Sequence, residues 1–338
     1  MNGRKAILCA VALLTAVLPV SCLFDPVDLG SVDDLRSEFD LVWNTMDERY
    51  VCFHLSDADW DALYRKYSPL ADQAESQDEL MQVVFDMLSE LDDQSITVNG
   101  RPTHPRTIEP NCDMDVLWTY LEPAGFRWVI PNAWGYCMMD NTLFIMIAHW
   151  SVRNVDLQNL IESHPGVDAI IFDIRMNDDR FGSPLGEVCR TFNTVTRIGC
   201  FYVSRGGPGR EDFSELQPIL VSRSTDAYTG PVAVLTGEAN WYLSEQFACM
   251  VSEIPTVTTI GDTTMRRTDW IAVYNLPGNS TFGIPESTMV RADSVTWVHE
   301  AGIPPDIFVD ATKEDFLAGR DPVLEYALEW AEGQANRW

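Results

Sequence analysis

The residues best placed to do chemistry are Tyr242-Leu243-Ser244-Glu245. They stand where a short apolar run, Pro231 to Leu235, gives way to Leu243, Phe247, Ala248 and Val251 at near-helical spacing. A strand running into a helix holds the residue between them, with its backbone N–H, at the positive end of the helix, where a developing oxyanion is stabilised. A hydrolase of this design needs a nucleophile there, a base within reach and N–H donors for the oxyanion. Ser244 offers a hydroxyl, with His299 or another of the five histidines as its base; a serine at a helix start is equally a capping group. His54, His104, His149 and His164 have no ligand spacing and read as structural or exposed. Asp178-Asp179 with Asp173 would suit a divalent cation or a solvated acidic loop. Gly206-Gly207-Pro208-Gly209 lacks the strand-to-helix setting of a phosphate loop and reads as a flexible loop.

Composition narrows the possibilities. The formal charge of −28 makes nucleic acid a poor partner. The acidic residues are interleaved with Trp, Phe and Leu, unlike a disordered acidic tail. Arg4 and Lys5 precede an apolar run, Ala6 to Val20, and then Ser21-Cys22, the layout of an export signal over 1–21. The run is too short to favour a membrane-spanning helix. Either Cys22 is lipid-modified and anchors the protein to a membrane, or the signal is cleaved nearby and leaves a soluble exported protein. The other cysteines outside the signal, Cys52, Cys112, Cys137, Cys189, Cys200 and Cys249, show no C-x-x-C pair and read as disulfide partners or as small buried residues. No metal site or cofactor is expected.

Residues 22–30 read as a tether. Ser31 is then expected to cap a first helix bearing Leu35, Phe39, Val42, Trp43, Met46 and Tyr50 on one face. A second carries Trp60, Leu63, Tyr64 and Tyr67 and is expected to end before Pro69; a third opens with the capping box Ser76 and Glu79. Three amphipathic helices predict a small bundle over 31–92. From Asp93 the period turns strand-like. Phe126–Ile130, Tyr136–Met138, Leu143–Ile147, Ala169–Ile174, Cys200–Val203 and Val232–Leu235 read as strands, with helices near 156–163 and 184–195 between them. This alternation predicts an α/β fold class: a helical N-terminal bundle, then a mixed α/β core over 93–338 that is β-rich beyond Arg267. Asp321 caps a final helix that opens with Pro322.

Three stretches resemble the tail-specific, or C-terminal processing, serine protease family: Phe39 to Pro69, Ala169-Ile-Ile-Phe-Asp-Ile-Arg175, and Gly302 to Leu328. The resemblance implies a peptidase core without a PDZ domain, because the span between Val98 and Tyr136 is too short for one. It also implies site positions, and this chain departs from the family at each. Tyr242 takes the place of the serine nucleophile, three residues before Glu245. Arg267 falls where one branch has its lysine base, and a guanidinium does not deprotonate in proteins. Ser95 replaces the histidine of the other branch's Asp-Gly-His turn. The glutamate supporting that histidine falls on His299, with Glu300 one place away, and Asp178 and Asp179 stand where oxyanion-binding glycines are expected.

The expectation is therefore an exported, lipid-anchored or periplasmic protein of the bacterial envelope, with the protease fold but without peptidase activity, which binds polypeptide or organises a complex. The alternatives are an active serine endopeptidase with Ser244 as a relocated nucleophile, and a structural envelope protein with no ligand.

Overall fold

Apolar periodicity decides the architecture. A computed structural model describes residues 26–30, 34–150, 152–177 and 185–335. The anchor position Cys22, the cap Ser31 and the pair Asp178-Asp179 lie outside the described residues. The chain begins with a two-residue strand, β1 (Val27–Asp28), and three helices, α1 (Leu35–Arg49), α2 (Trp60–Ala71) and α3 (Gln77–Ser89). Asp34 caps α1 by accepting the Ser37 N–H at 2.7 Å. Ser76 caps α3 through the Glu79 N–H, and Glu79 reaches back to the Glu75 N–H. Helix α2 does not stop before Pro69 but carries it in its last turn. There the missing donor leaves only the carbonyl of exposed Arg65 to be satisfied by solvent.

Next come β2 (Thr97–Val98), β3 (Arg101–Pro102), α4 (Met114–Leu121), β4 (Arg127–Ile130), β5 (Trp134–Met139), β6 (Thr142–Ile147), α5 (Asn154–Glu162) and β7 (Ala169–Asp173). Helix α4 was not expected, although Asp113 caps it and Val116, Leu117 and Leu121 are buried along it. Beyond it lie α6 (Leu185–Cys189), β8 (Arg197–Ser204), β9 (Gln217–Val221), β10 (Val232–Thr236), α7 (Leu243–Val251), β11 (Val257–Gly261), β12 (Trp270–Asn275) and β13 (Thr281–Arg291). The chain closes with α8 (Val298–Ala301), β14 (Ile307–Phe308), α9 (Lys313–Leu317) and α10 (Pro322–Ala335).

Two sheets organise these elements. The core sheet runs β14-β11-β10-β7-β6-β5-β4, parallel from β6 through β7, β10 and β11 to β14 and antiparallel at β4, β5 and β6. Strands β6, β7 and β10 are buried along their whole length, as parallel strands covered on both faces must be. One face packs on α5, α6 and α7 through Phe172, Phe192, Phe247 and Trp150; α4 and α10 cover the other through Leu117, Leu121, Val323 and Leu324.

The second sheet runs β1-β12-β13-β2-β3, with β8 on β13 and β9 on β8. Strand β8 is therefore not the next strand of the parallel core, as its position after α6 suggested; it lies antiparallel to β13. Its burial is partial and uneven, with Ile198 38% exposed, a pattern that fits a one-sided antiparallel sheet. The three helices do not close on themselves either. Their apolar cluster takes in Tyr274, Phe282 and Ile284 of β12 and β13. Among the described residues no helix is long and apolar enough to cross a membrane, and the six cysteines are free and buried.

Candidate functional site

At the carboxyl end of β10 the chain turns sharply into α7, and Tyr242 is the residue at the bend, with φ 48° and ψ −108°. A bulky side chain seldom takes positive φ, and such strain persists only where the surroundings over-determine it. Here they do. The Tyr242 N–H donates to the Arg267 carbonyl at 2.9 Å and the Met265 N–H to the Asn240 carbonyl at 2.9 Å. Buried Asn240 accepts from the Gly237 N–H at 2.9 Å and donates to the Ile174 carbonyl at 2.6 Å, tying the bend to the end of β7. Gly237 is needed for the approach, since a Cβ there would lie 2.0 Å from Asn111 Oδ1.

Glu245, in the first turn of α7, fastens the helix to the segment 264–267. Its buried carboxylate accepts from the Thr264 hydroxyl and from the Arg266 and Arg267 N–H groups, the last two at 2.7 Å. Burial pushes Glu245 up to about 7 in spite of these donors. The Arg267 guanidinium lies 5.1 Å from the centre of the Trp241 ring. The Tyr242 phenol is half-buried, and burial raises its pKa. Ser244 faces the other way and is fully buried. Its hydroxyl donates toward the Asn177 carbonyl at 2.9 Å and Oδ1 at 2.8 Å, and accepts from Trp150 Nε1 at 3.2 Å.

A second polar cluster lies two residues beyond Arg267. Ser95 is buried and its hydroxyl donates to Asp269 Oδ2 at 2.6 Å, the same oxygen that lies 2.7 Å from His299 Nδ1. On the other side of the imidazole, Nε2 is 3.5 Å from Asp93 Oδ2, which also accepts from the Tyr50 hydroxyl at 2.7 Å. Burial works against charge on His299, yet the Asp269 carboxylate, with further help from Asp93, holds its pKa well above the usual histidine range. Burial also disfavours the Asp269 anion, but His299 and then Ser95 bring it below the usual carboxylate range. At Asp93 burial prevails over His299 and the pKa rises. A cleft of ≈ 410 Å³ opens over the cluster, lined among others by Cys52, Asp93, His104, Arg106, Arg266 and His299.

The fold thus gathers the expected positions in two groups. Tyr242 and Arg267 share a backbone hydrogen bond, and Ser95 and His299 meet through Asp269. Glu300 stays exposed at the rim of the cleft. Asp178 and Asp179 lie outside the described residues. The sequence pointed to no site role for Asp269 or Asn240, and it marked Tyr50, Cys52 and Asp93 only as a helix-face residue, a buried or paired cysteine and the start of the strand-like region. Asp269 is 174 residues from Ser95 in the chain and 30 from His299, so no local pattern marked it.

Comparison with known proteins matches residues 31–89 to the tricorn protease C1 domain and residues 142–309 to peptidase family S41. No curated protein matches the chain. Among solved structures, a candidate peptidase from Parabacteroides merdae ATCC 43184 superposes with TM-score 0.77 at 22% identity, over 89% of this chain and 97% of that one. Mature CPAF complexed with lactacystin gives TM-score 0.64 at 10% identity, over 90% and 99%. The photosystem II D1 C-terminal processing protease gives 0.54 at 12%, over 82% and 94%.

Proposed function

The chain belongs to peptidase family S41, and from that premise we propose that it is a member that binds polypeptide without cleaving it, exported and held at the bacterial cell envelope by a lipid on Cys22. One observation carries the reading: the strained bend at the start of α7, held by its hydrogen bonds, presents the phenol of Tyr242 rather than a serine hydroxyl. A phenol whose pKa is raised by burial is a poor nucleophile toward an amide near neutral pH. Arg267 cannot accept its proton. Ser95 has no basic nitrogen, and His299 is committed to two carboxylates. The relocated nucleophile fares no better, because Ser244 is fully buried and hydrogen-bonded to Asn177 and Trp150.

Binding needs none of these groups. Trp241 and Tyr242, both half-buried, lead into α7, and the half-buried Tyr202 of β8 lies near Tyr242. Strand β4 ends the core sheet, with Val129 46% and Ile130 39% exposed, and an extended peptide can add to such an edge. The test pairs a fluorophosphonate probe with calorimetric titration of extended peptides. The expected result is no covalent labelling, no hydrolysis of unfolded or C-terminally tagged polypeptide, and saturable peptide binding weakened by Trp241→Ala. Hydrolysis abolished by Ser244→Ala in a folded variant would overturn the reading in favour of an active peptidase. Absence of any peptide binding would leave a structural envelope protein.

A further inference from the structure

The cluster beneath the cleft has more ligand atoms than its own hydrogen bonds use. One atom each from Cys52, Asp269 and His299 lie within 4.8 Å of one another. They come from three distant parts of the chain: the turn after α1, the approach to β12, and α8. Cys52 and Asp269 are buried, whereas His299 keeps 11% of its side chain exposed on the cleft, which gives an entry path. Asp269 Oδ1 has no hydrogen-bond partner although its residue is only 3% exposed. The Thr288 hydroxyl faces that carboxylate and helps lower its pKa, but does not reach hydrogen-bond geometry. A buried carboxylate oxygen left this way is costly unless something positive meets it.

We propose that Cys52, Asp269 and His299 form a three-ligand site for a borderline-soft divalent cation of the Zn²⁺ type, with the fourth position open to the cleft. The ligand set of one thiolate, one imidazole and one carboxylate suits such an ion rather than Mg²⁺ or Ca²⁺, which take oxygen. Ligands about 2.0–2.3 Å from a tetrahedral ion stand roughly 3.3–3.7 Å apart. The carboxylate meets the ion through its unpartnered Oδ1 while Oδ2 keeps Ser95; His299 Nδ1, now 2.7 Å from Oδ2, turns from that oxygen to the ion, and the thiol closes in by up to about 1 Å. Asp93 then takes the orienting role on the far side of the ring, accepting from Nε2–H, while Ser95 and Tyr50 hold the two carboxylates. The thiol proton passes to solvent as the ion binds, and Nδ1 gives its lone pair to the ion while Nε2 carries the ring proton.

The test uses the purified exported chain, stripped with a chelator and titrated with Zn²⁺ against a chromophoric competitor, and separately with Co²⁺ by absorption. The expected result is one ion per chain with Kd below about 1 µM, affinity that falls as pH is lowered, and a raised Tm. With Co²⁺, a thiolate charge-transfer band should appear and be lost in Cys52→Ser. Asp269→Asn should weaken binding at least about tenfold. If either variant fails to fold, X-ray absorption of the wild-type Zn²⁺ complex decides: one sulfur with nitrogen and oxygen neighbours is required. No stoichiometric uptake, uptake unchanged in both folded variants, or a shell without sulfur would each overturn the proposal.

Discussion

Arg175→Met should be the most damaging single change in the core, and its cost should depend on pH. Arg175 is buried at the carboxyl end of β7. Its guanidinium bonds Asp173 at 3.1 and 2.8 Å, Asp321 at 2.8 and 2.9 Å, and the Asn111 carbonyl at 3.0 Å. Methionine fills much of the space and removes the charge, leaving two buried carboxylates converging on one point. They can relax by sharing a single proton taken from water. At pH 7 that costs about 4 kcal/mol, from about 1.4 kcal/mol per unit between pH 7 and an ordinary aspartate near 3.9; at pH 5 it costs about 1.5 kcal/mol. The estimate agrees with the 3–5 kcal/mol typical of breaking a buried ion pair. In the variant the shared carboxyl group titrates above its unfolded value. The stability tied to its proton is thus fully present below about 3.9 and lost as pH rises through the folded value. Urea unfolding of both proteins at pH 5 and 7 checks this, and adding Asp173→Asn and Asp321→Asn should recover most of the loss. A deficit under about 1 kcal/mol at pH 7, or one independent of pH, would refute the argument and point to packing alone.

Gly237→Ala should cost about 1–3 kcal/mol by urea unfolding, because the added methyl displaces the Asn111 side chain, whose Nδ2 donates to the Thr236 carbonyl at 2.8 Å. Glu245, pushed up to about 7 by burial, should make the wild type lose up to about 3 kcal/mol of stability relative to Glu245→Gln as pH rises from 4.5 through 7; parallel pH profiles of the two proteins would show it. A lipid on Cys22 should place the protein in the membrane fraction, and Cys22→Ala should release it into the soluble fraction. Equal partitioning of the two would remove the anchor from the proposed function.

What could be read in advance was what is local. Strands β6, β7 and β10 are uninterrupted apolar runs because both their faces are covered, and such runs stand out in a sequence. The Tyr242 bend followed from β10 running into α7, and the Asp321 cap from the proline after it. Helix α4 was missed because its eight residues span barely two turns, too few for a period to emerge. Strand β8 was assigned to the wrong sheet because chain order cannot say whether a strand after a helix returns to the core or crosses to β13. Ser95 and His299 were marked only through the family resemblance, and Asp269, which joins them, was missed for a deeper reason. Ser95, Asp269 and His299 meet only once β2 and β12 have paired with β13 and α8 has packed on it, and Asp269 looks ordinary beside its chain neighbours.

The pairing of β2 with β13 bears on how the protein is made. Val98 lies opposite Phe282, so the sheet that completes the apolar face of α1–α3 cannot exist until about 180 more residues have been synthesised. At the roughly 5–20 residues per second of translation, the nascent helices carry an uncovered hydrophobic face for about 10–40 s. Closing so long a loop is also slow, as non-local strand pairing generally is. During that interval the N-terminal helices are a natural client for a chaperone that holds exposed apolar surface.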